Sequence, residues 1–357
     1  MSGKKQRVVI AMSGGVDSSV AAAILVEAGY DVIGIMLTLW NEPGLECDNR
    51  CCTPDSMALA RRVAAKIGIP FYTIDAKQQF YDHVVRYFLD GTLAGITPNP
   101  CGVCNQFIRW DFLLNRALLL DAHFLATGHY VRISKSLDGF YTLSKARDQR
   151  KDQSYILYSL TQSKLSHALF PLGQMQKTEV REIARALELP VADKPDSQDL
   201  CFLGNGSYQE FVLRQSQNSV KPGPIKDFHG NKIGEHQGLP FYTIGQRKGL
   251  GISNPVPFYV LEKDIIGNAL IVGPDSSLGR NTLIASDLNW ISGNPPRMPI
   301  IAQVKIRYRA PAIQGTAIPL PSGEVRVEFS TPLRDITPGQ VVVFYNEDEC
   351  LGGGIIR

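Results

Sequence analysis

No apolar run in the sequence reaches the roughly 18 residues of a membrane span. The N-terminus, MSGKKQRVVIAMSGG, starts basic, but Ser13 and two glycines break its apolar run, leaving no signal-peptide core or cleavage site. Charge of one sign is also missing: 37 basic against 34 acidic residues give a net charge of +3. Net charge therefore does not announce a nucleic-acid partner, although a local patch such as KARDQRKDQ (145–153) can supply one. There is no internal repeat and no low-complexity segment. These absences predict a cytoplasmic protein with no membrane contact, whose 7 cysteines are thiols in a reducing compartment.

What is present is an ordinary globular composition, 44% hydrophobic and 20% charged, in a chain of 357 residues. That length predicts two to three domains. Strand and helix patterns alternate over the first two hundred residues. RVVIAM, DVIGIMLTL, PFYTIDA and HFLATGHY read as buried strands. VAAAILVEAGY, DSMALARRVAAKIGI, QQFYDHVVRYFLDGTLAG and CNQFIRWDFLLNRALLLDA read as helices, with a cap near Asp55 and stops at Gly29 and Gly68. Such alternation implies a parallel sheet covered on both faces, with ligands at the C-terminal ends of its strands. After about residue 210 the texture becomes Gly- and Pro-rich. From about 281, AQVKIRYRA, EVRVEFS and QVVVFYN are separated by turn signals, as in a small β-barrel. The expected division is a catalytic α/β domain (1–210), a central domain (211–280) and a C-terminal β-barrel (281–357).

AMSGGVDSSV lies between the first strand and the first helix. There, Gly14 and Gly15 allow close backbone approach, and the helix N-terminus favours an anion. Ser13, Ser18 and Ser19 add hydroxyls, and Asp17 is placed to help hold magnesium between phosphates. The loop lacks the Gly-Lys-Ser/Thr ending of a Walker A motif and is not GxGxxG.

SGGVDSS resembles the PP-loop of the ATP pyrophosphatase superfamily, whose members cleave ATP between the α and β phosphates. TPNPCGVCN, ATGHY, RDQRKDQSY, DSQDLCFL, YTIGQRKGLG, RYR and PGQ together resemble the tRNA-specific 2-thiouridylases (MnmA type) over essentially the whole chain. The resemblance implies an α/β parallel-sheet PP-loop domain of the adenine nucleotide alpha hydrolase-like kind. It implies ATP and Mg2+ as cofactors, and ATP-dependent 2-thiolation of the wobble uridine of tRNA. A persulfide donor, such as a cysteine desulfurase or a sulfur-relay protein, is then the second partner. Ala11, Met12, Ser13, Gly14, Gly15, Val16, Asp17, Ser18, Leu37 and Gly128 match nucleotide-binding positions. Asn99, Pro100 and Cys101 match the segment that contacts the target base. His129, Lys151, Asp152, Gln153, Tyr308, Arg309 and Gln340 match tRNA contacts. Tyr308 reads equally well as a stacking platform or as a core residue of an alternating strand.

Replacing the uridine C2 oxygen by sulfur requires an activated oxygen, a persulfide, and a second thiol to resolve it. Cys104, at the front of a predicted helix where thiolate is favoured, matches the family nucleophile; Cys201 matches the persulfide carrier. Some relatives carry Asp where this chain has Cys101, which puts the source of any acid there in doubt. Two further readings stand beside this one. In the first, Cys101, Cys104 and Cys201 hold an iron–sulfur cluster. In the second, a PP-loop synthetase or amidotransferase carries merely structural cysteines, although the chain shows no glutaminase-like constellation. A metal-stabilised RNA-binding module would not need the PP-loop at all. Cys47, Cys51 and Cys52 read as a mobile loop, and Cys350 as barrel packing.

Overall fold

The protein is described here by a computed structural model covering residues 5–42, 53–195, 200–203, 207–216, 219–253, 255–334 and 336–357. Cys47, Cys51 and Cys52 lie outside them. Strands β1 (Arg7–Ala11), β2 (Asp31–Thr38), β3 (Phe71–Asp75), β4 (Phe124–Ala126) and, after the hairpin β5 (Val131–Lys135) and β6 (Tyr141–Lys145), the short β7 (Ala168–Leu169) are the first elements of the chain. All but the hairpin form one parallel sheet in the order β3-β2-β1-β4-β7. Val8, Val9 and Ile10 of β1 are fully buried at its centre.

Helices cover both faces, as the alternating pattern predicts. Helix α1 (Val16–Glu27) leaves directly from the glycine loop and is buried over most of its length because its valines and alanines pack between the sheet and neighbouring helices. Helix α2 (Pro54–Ile67) starts at Thr53, whose hydroxyl accepts from the Ser56 amide, and stops at Gly68 in the left-handed conformation, φ 75°. Its cap is thus two residues before the expected Asp55.

Two long helical stretches differ from the even α-periodicity expected of them. Residues 77–93 include a π-helical segment, Tyr81–Val85, and residues 100–118 include one at Cys104–Leu113. π-Turns inside helices change which side chains face one another.

The remaining strands follow in chain order: β8 (Gly223–Asp227), β9 (Lys232–His236), β10 (Phe258–Asp264), β11 (Ala269–Pro274), β12 (Arg280–Trp290), β13 (Ile300–Lys305), β14 (Ile313–Pro319), β15 (Val325–Leu333), β16 (Val341–Asn346) and β17 (Glu349–Ile356). The sheet β10-β11-β8-β9 has its own small core around Ile225, Val260 and Val272. Strands β12-β15-β14-β13-β16-β17 close on themselves through pairing of β12 with β17, which gives the barrel. β15 alternates buried and exposed residues along most of its length, filling the barrel with Val325, Val327 and Phe329.

One connection was not legible in the sequence. The β5–β6 hairpin adds to the barrel rather than to the parallel sheet, with Cys350 of β17 opposite Leu143 of β6. Cys350 is fully enclosed there, and burial pushes its thiol well above the usual range, as expected of packing rather than chemistry.

Candidate active site

The strand order places the switch point of the sheet between β1 and β4, since the chain runs outward from β1 through β2 and β3 before returning to β4. Open parallel sheets bind ligands at such points. The glycine loop leaves β1 and the Thr127-Gly128-His129 turn leaves β4, so the two meet there. A Cβ on Gly128 would lie 2.7 Å from the Ser18 amide nitrogen. Gly14 has φ +67°, and its Cβ would lie 2.3 Å from the Ser56 carbonyl oxygen. Both glycines are therefore required by close backbone approach.

The helix that follows is 12 residues long and its N-cap, Gly15, supplies no side-chain acceptor, so no cap competes for the first-turn amides. The Ser13 and Ser18 hydroxyls lie 3.2 Å apart, and that of Ser19 donates to the Gly15 carbonyl at 2.8 Å. Two lysines that sequence reasoning missed complete the cradle. Lys194 Nζ donates to the Gly14 carbonyl at 3.0 Å and to Ser56 Oγ at 3.3 Å. Lys177 Nζ lies 2.7 and 2.8 Å from the two oxygens of Asp17, whose Oδ1 also accepts from the Tyr130 hydroxyl at 2.6 Å. Amides, hydroxyls and lysines around a helix N-terminus fit a polyphosphate. They fit the magnesium expectation less well: the Asp17 carboxylate is already committed to Lys177 and Tyr130. We expect Gly14→Ala to lower stability by about 1–2 kcal/mol through its backbone conformation alone. It should also weaken polyphosphate binding at least roughly tenfold, the equivalent of about 1.4 kcal/mol; a thermal melt and a nucleoside triphosphate titration would check it.

A second centre lies beside the C-terminal end of β2. Asn99 caps the stretch that carries the first cysteine pair: its Oδ1 accepts from the Gly102 amide at 3.2 Å, with Pro100 in the first helical position. Cys101 is exposed, Cys104 buried and Cys201 half-buried. Cys104 and Cys201, 97 residues apart in sequence, belong to one apolar cluster with Phe80, Phe88, Phe202 and Phe211. Leu37 packs against that cluster and against the core under the sheet that includes Val9 and Ile35. Arg109 Nη1 lies 3.4 Å from Cys104 Sγ and 3.4 Å from Asn105 Oδ1. In an α-helix residues five apart point about 140° away from each other; the π-helical turn brings them together, so α-helical spacing does not reveal this pair. Among the described residues no three His, Cys, Asp or Glu side chains converge as metal ligands.

His129 is buried, with Nδ1 2.7 Å from the Thr127 hydroxyl. Burial, with a smaller contribution from the Arg109 charge, depresses its pKa to about 3. The ring is therefore neutral near pH 7 and largely enclosed. Because the folded-state value lies below the unfolded one, stability is unaffected above about pH 6.5 and is lost as pH falls from there towards 3, at about 1.4 kcal/mol per pH unit. His129→Gln should flatten that acid limb; denaturation midpoints between pH 7 and 4 provide the measurement.

The remaining expected RNA contacts gather around the Asn99–Cys101 segment, with several in a different posture from that expected. Tyr308 is not in a strand: β13 ends at Lys305 and Tyr308 sits in the following turn, 39% exposed, with Arg309 exposed beside it. The alternation argument for a core residue therefore does not apply. Its hydroxyl donates to the Asp152 carbonyl at 3.3 Å, and Lys305 Nζ lies 5.7 Å from the ring centres of both Tyr308 and Tyr155. Burial raises the Tyr308 phenol pKa, and the charges of Asp152 and Cys101 add to the shift. The side chain of Asp152 turns inward, accepting from the Ala146 amide at 3.0 Å and the Ser154 hydroxyl at 2.8 Å. Gln153 accepts from the Tyr130 amide at 3.0 Å, and Gln340 donates to the Thr97 carbonyl at 2.7 Å. These three side chains hold the loops; Arg150 and the half-buried Lys151 supply the charge.

Comparison with known proteins follows this geometry. Residues 6–205 match a family model described as "tRNA methyl transferase HUP domain", 209–274 one described as "tRNA methyl transferase PRC-barrel domain", and 280–356 one described as "Aminomethyltransferase beta-barrel domain". Curated relatives named "tRNA-specific 2-thiouridylase MnmA" match along nearly the whole chain. The protein of Natranaerobius thermophilus is 48% identical, covering 98% of this chain and 97% of that one. That of Symbiobacterium thermophilum is 46% identical, covering 99% and 92%, and that of Magnetococcus marinus 44% identical, covering 98% and 99%.

Proposed function

The chain belongs to the tRNA-specific 2-thiouridylase family and is a tRNA sulfurtransferase of the PP-loop type, and from that premise we propose that it 2-thiolates the wobble uridine by a two-cysteine route. What supports this reading is that Cys104 and Cys201 belong to one apolar cluster, against which Leu37 near the C-terminal end of β2 also packs. Residues 1–210 then carry the chemistry, and 211–280 and 281–357 take part in holding the RNA.

ATP is the co-substrate. The uridine O2 attacks the α-phosphorus and pyrophosphate departs, which makes a poor leaving group into AMP. The terminal sulfur of a Cys201 persulfide attacks C2 and AMP leaves. The Cys104 thiolate then attacks Cys201 Sγ, the thiocarbonyl is released, and a Cys104–Cys201 disulfide remains for an external thiol reductant to open. Arg109 favours the Cys104 thiolate by its fixed charge. The glycine-loop amides, with Lys177 and Lys194 alongside, receive the phosphates. Asn99 and Cys101 face the base, with Tyr308 and Arg309 beside them to stack and to hold phosphate. The persulfide comes from a donor protein.

The test is a reaction of the protein with ATP, a persulfide donor and unmodified tRNA, followed by nucleoside analysis and mapping of the modified position. The expected product is 2-thiouridine at the wobble position, with one AMP formed per sulfur transferred. Thiolation elsewhere, or thiolation without AMP, would overturn the assignment.

A further inference from the structure

The YTIGQRKGLG segment is not used by the chemistry above, yet the structure holds it rigidly against the candidate RNA face. Gln246 organises the loop: its Oε1 accepts from the Thr243 amide at 3.1 Å and its Nε2 donates to the Lys248 carbonyl at 2.9 Å. The backbone is pinned to β10, with the Gly245 amide donating to Val260 at 2.9 Å and the Val260 amide to Gln246 at 3.0 Å. Gly249 and Gly251 have φ of +77° and +67°, and no neighbouring atom lies within 4 Å of a Cβ built on Gly251. That glycine serves the path of the chain rather than tight packing, and the path turns Arg247 and Lys248 outward.

Both cations are exposed, and among the described residues neither side chain has a carboxylate partner. The loop is also tied to the turn that carries Tyr308 and Arg309. Arg307 Nη2 donates to the Ile244 carbonyl at 3.1 Å and also to the Thr337 hydroxyl. Arg247, Lys248, Tyr308 and Arg309 thus rise from two segments cross-linked at their bases. An exposed Arg and Lys on a hydrogen-bonded loop, tied at its base to a turn that carries an exposed aromatic and a further Arg, are the chemistry of a polynucleotide backbone.

We propose that residues 245–251 of the middle segment form a phosphate grip for the tRNA, continuous with the barrel turn at Tyr308–Arg309. This rests on the reading of the chain as a tRNA-thiolating enzyme. The contact is to phosphate, so it adds affinity and orientation rather than base specificity.

The experiment measures tRNA binding across a salt series for the full-length protein, its R247E/K248E variant and its R247Q/K248Q variant, with donor-dependent thiolation in parallel. The charge-reversed protein should bind at least roughly tenfold more weakly near physiological salt. Its log–log salt dependence should be shallower by about 1–2, as expected when two cations stop releasing counterions. The neutral variant should move in the same direction by less, and melting temperatures should stay within about 2 °C because both side chains are in solvent. Wild type that thiolates and binds tRNA, beside a variant with the same affinity and slope, would overturn the grip while leaving the function intact. Unchanged tRNA binding with impaired sulfur delivery from a donor protein would also overturn it, assigning the loop to a protein partner. Failure of the wild type to bind tRNA would overturn the functional reading itself.

Discussion

Cys104→Ser and Cys201→Ser proteins are each expected to bind tRNA and to release AMP from ATP, yet to transfer no sulfur, a loss of at least roughly 10³-fold or about 4 kcal/mol. A hydroxyl neither carries a persulfide sulfur nor attacks one, so neither residue has a substitute once the uridine is activated. Both positions sit in the same aromatic-lined cluster, where Ser is small enough to be accommodated, so the folded state should survive. The companion variant is Arg109→Met. With Nη1 3.4 Å from Cys104 Sγ, the guanidinium favours the thiolate over the thiol. Its removal should slow alkylation of Cys104 at fixed pH, with Arg109→Lys intermediate because an ammonium keeps the charge but not the fork. Peptide-resolved mass spectrometry reads both the alkylation rate and the Cys201 persulfide. Full activity of Cys201→Ser would remove the two-cysteine route altogether.

The second large effect is expected at the glycine loop. Lys177→Met should depress ATP-dependent AMP formation by roughly 10²-fold, and Asp17→Asn combined with Lys177→Met should recover part of that loss. Lys177 neutralises Asp17 at the mouth of a helix N-terminus, and without it a carboxylate would face the incoming phosphates. Removing both charges removes the repulsion. The stability cost of the single change should be smaller than the roughly 3–5 kcal/mol of breaking a fully buried pair, since the Asp17 side chain remains 32% exposed. A double-mutant cycle on AMP formation and on melting temperature measures the coupling. If the double variant is as impaired as the sum of the singles, the lysine contacts phosphate directly and its pairing with Asp17 is incidental.

Much of this architecture was legible in the sequence because local rules and global fold agree. Apolar runs separated by amphipathic stretches of helix length admit a covered parallel sheet, and Gly29 and Gly68 stop their helices where only a left-handed backbone continues the chain. The glycine loop was legible for the same reason: its position between β1 and α1 fixes what its amides can face. Period-two alternation in β15 likewise marked a barrel wall.

What the sequence could not supply concerns contacts between distant segments and departures from ideal periods. Lys177 and Lys194 reach the glycine loop across more than 150 residues, and no local pattern marks a lysine whose partner is chosen by the packing of the helix Lys177–Ala186 on α1. Arg109 meets Cys104 only because the helix widens into a π-turn, which 3.6-residue counting cannot anticipate. The motifs of Asp152 and Gln340 likewise carried no sign of the intramolecular hydrogen bonds their side chains make in the packed loops, where polar groups must find partners. The β5–β6 hairpin joined the barrel because β17 offered the edge on which its backbone could pair. The sequence by itself determined the class of chemistry, since that depends on which residue types stand in which motif. Tertiary structure alone decided which charges face the thiol and the glycine loop, since that depends on distances between elements the chain keeps far apart.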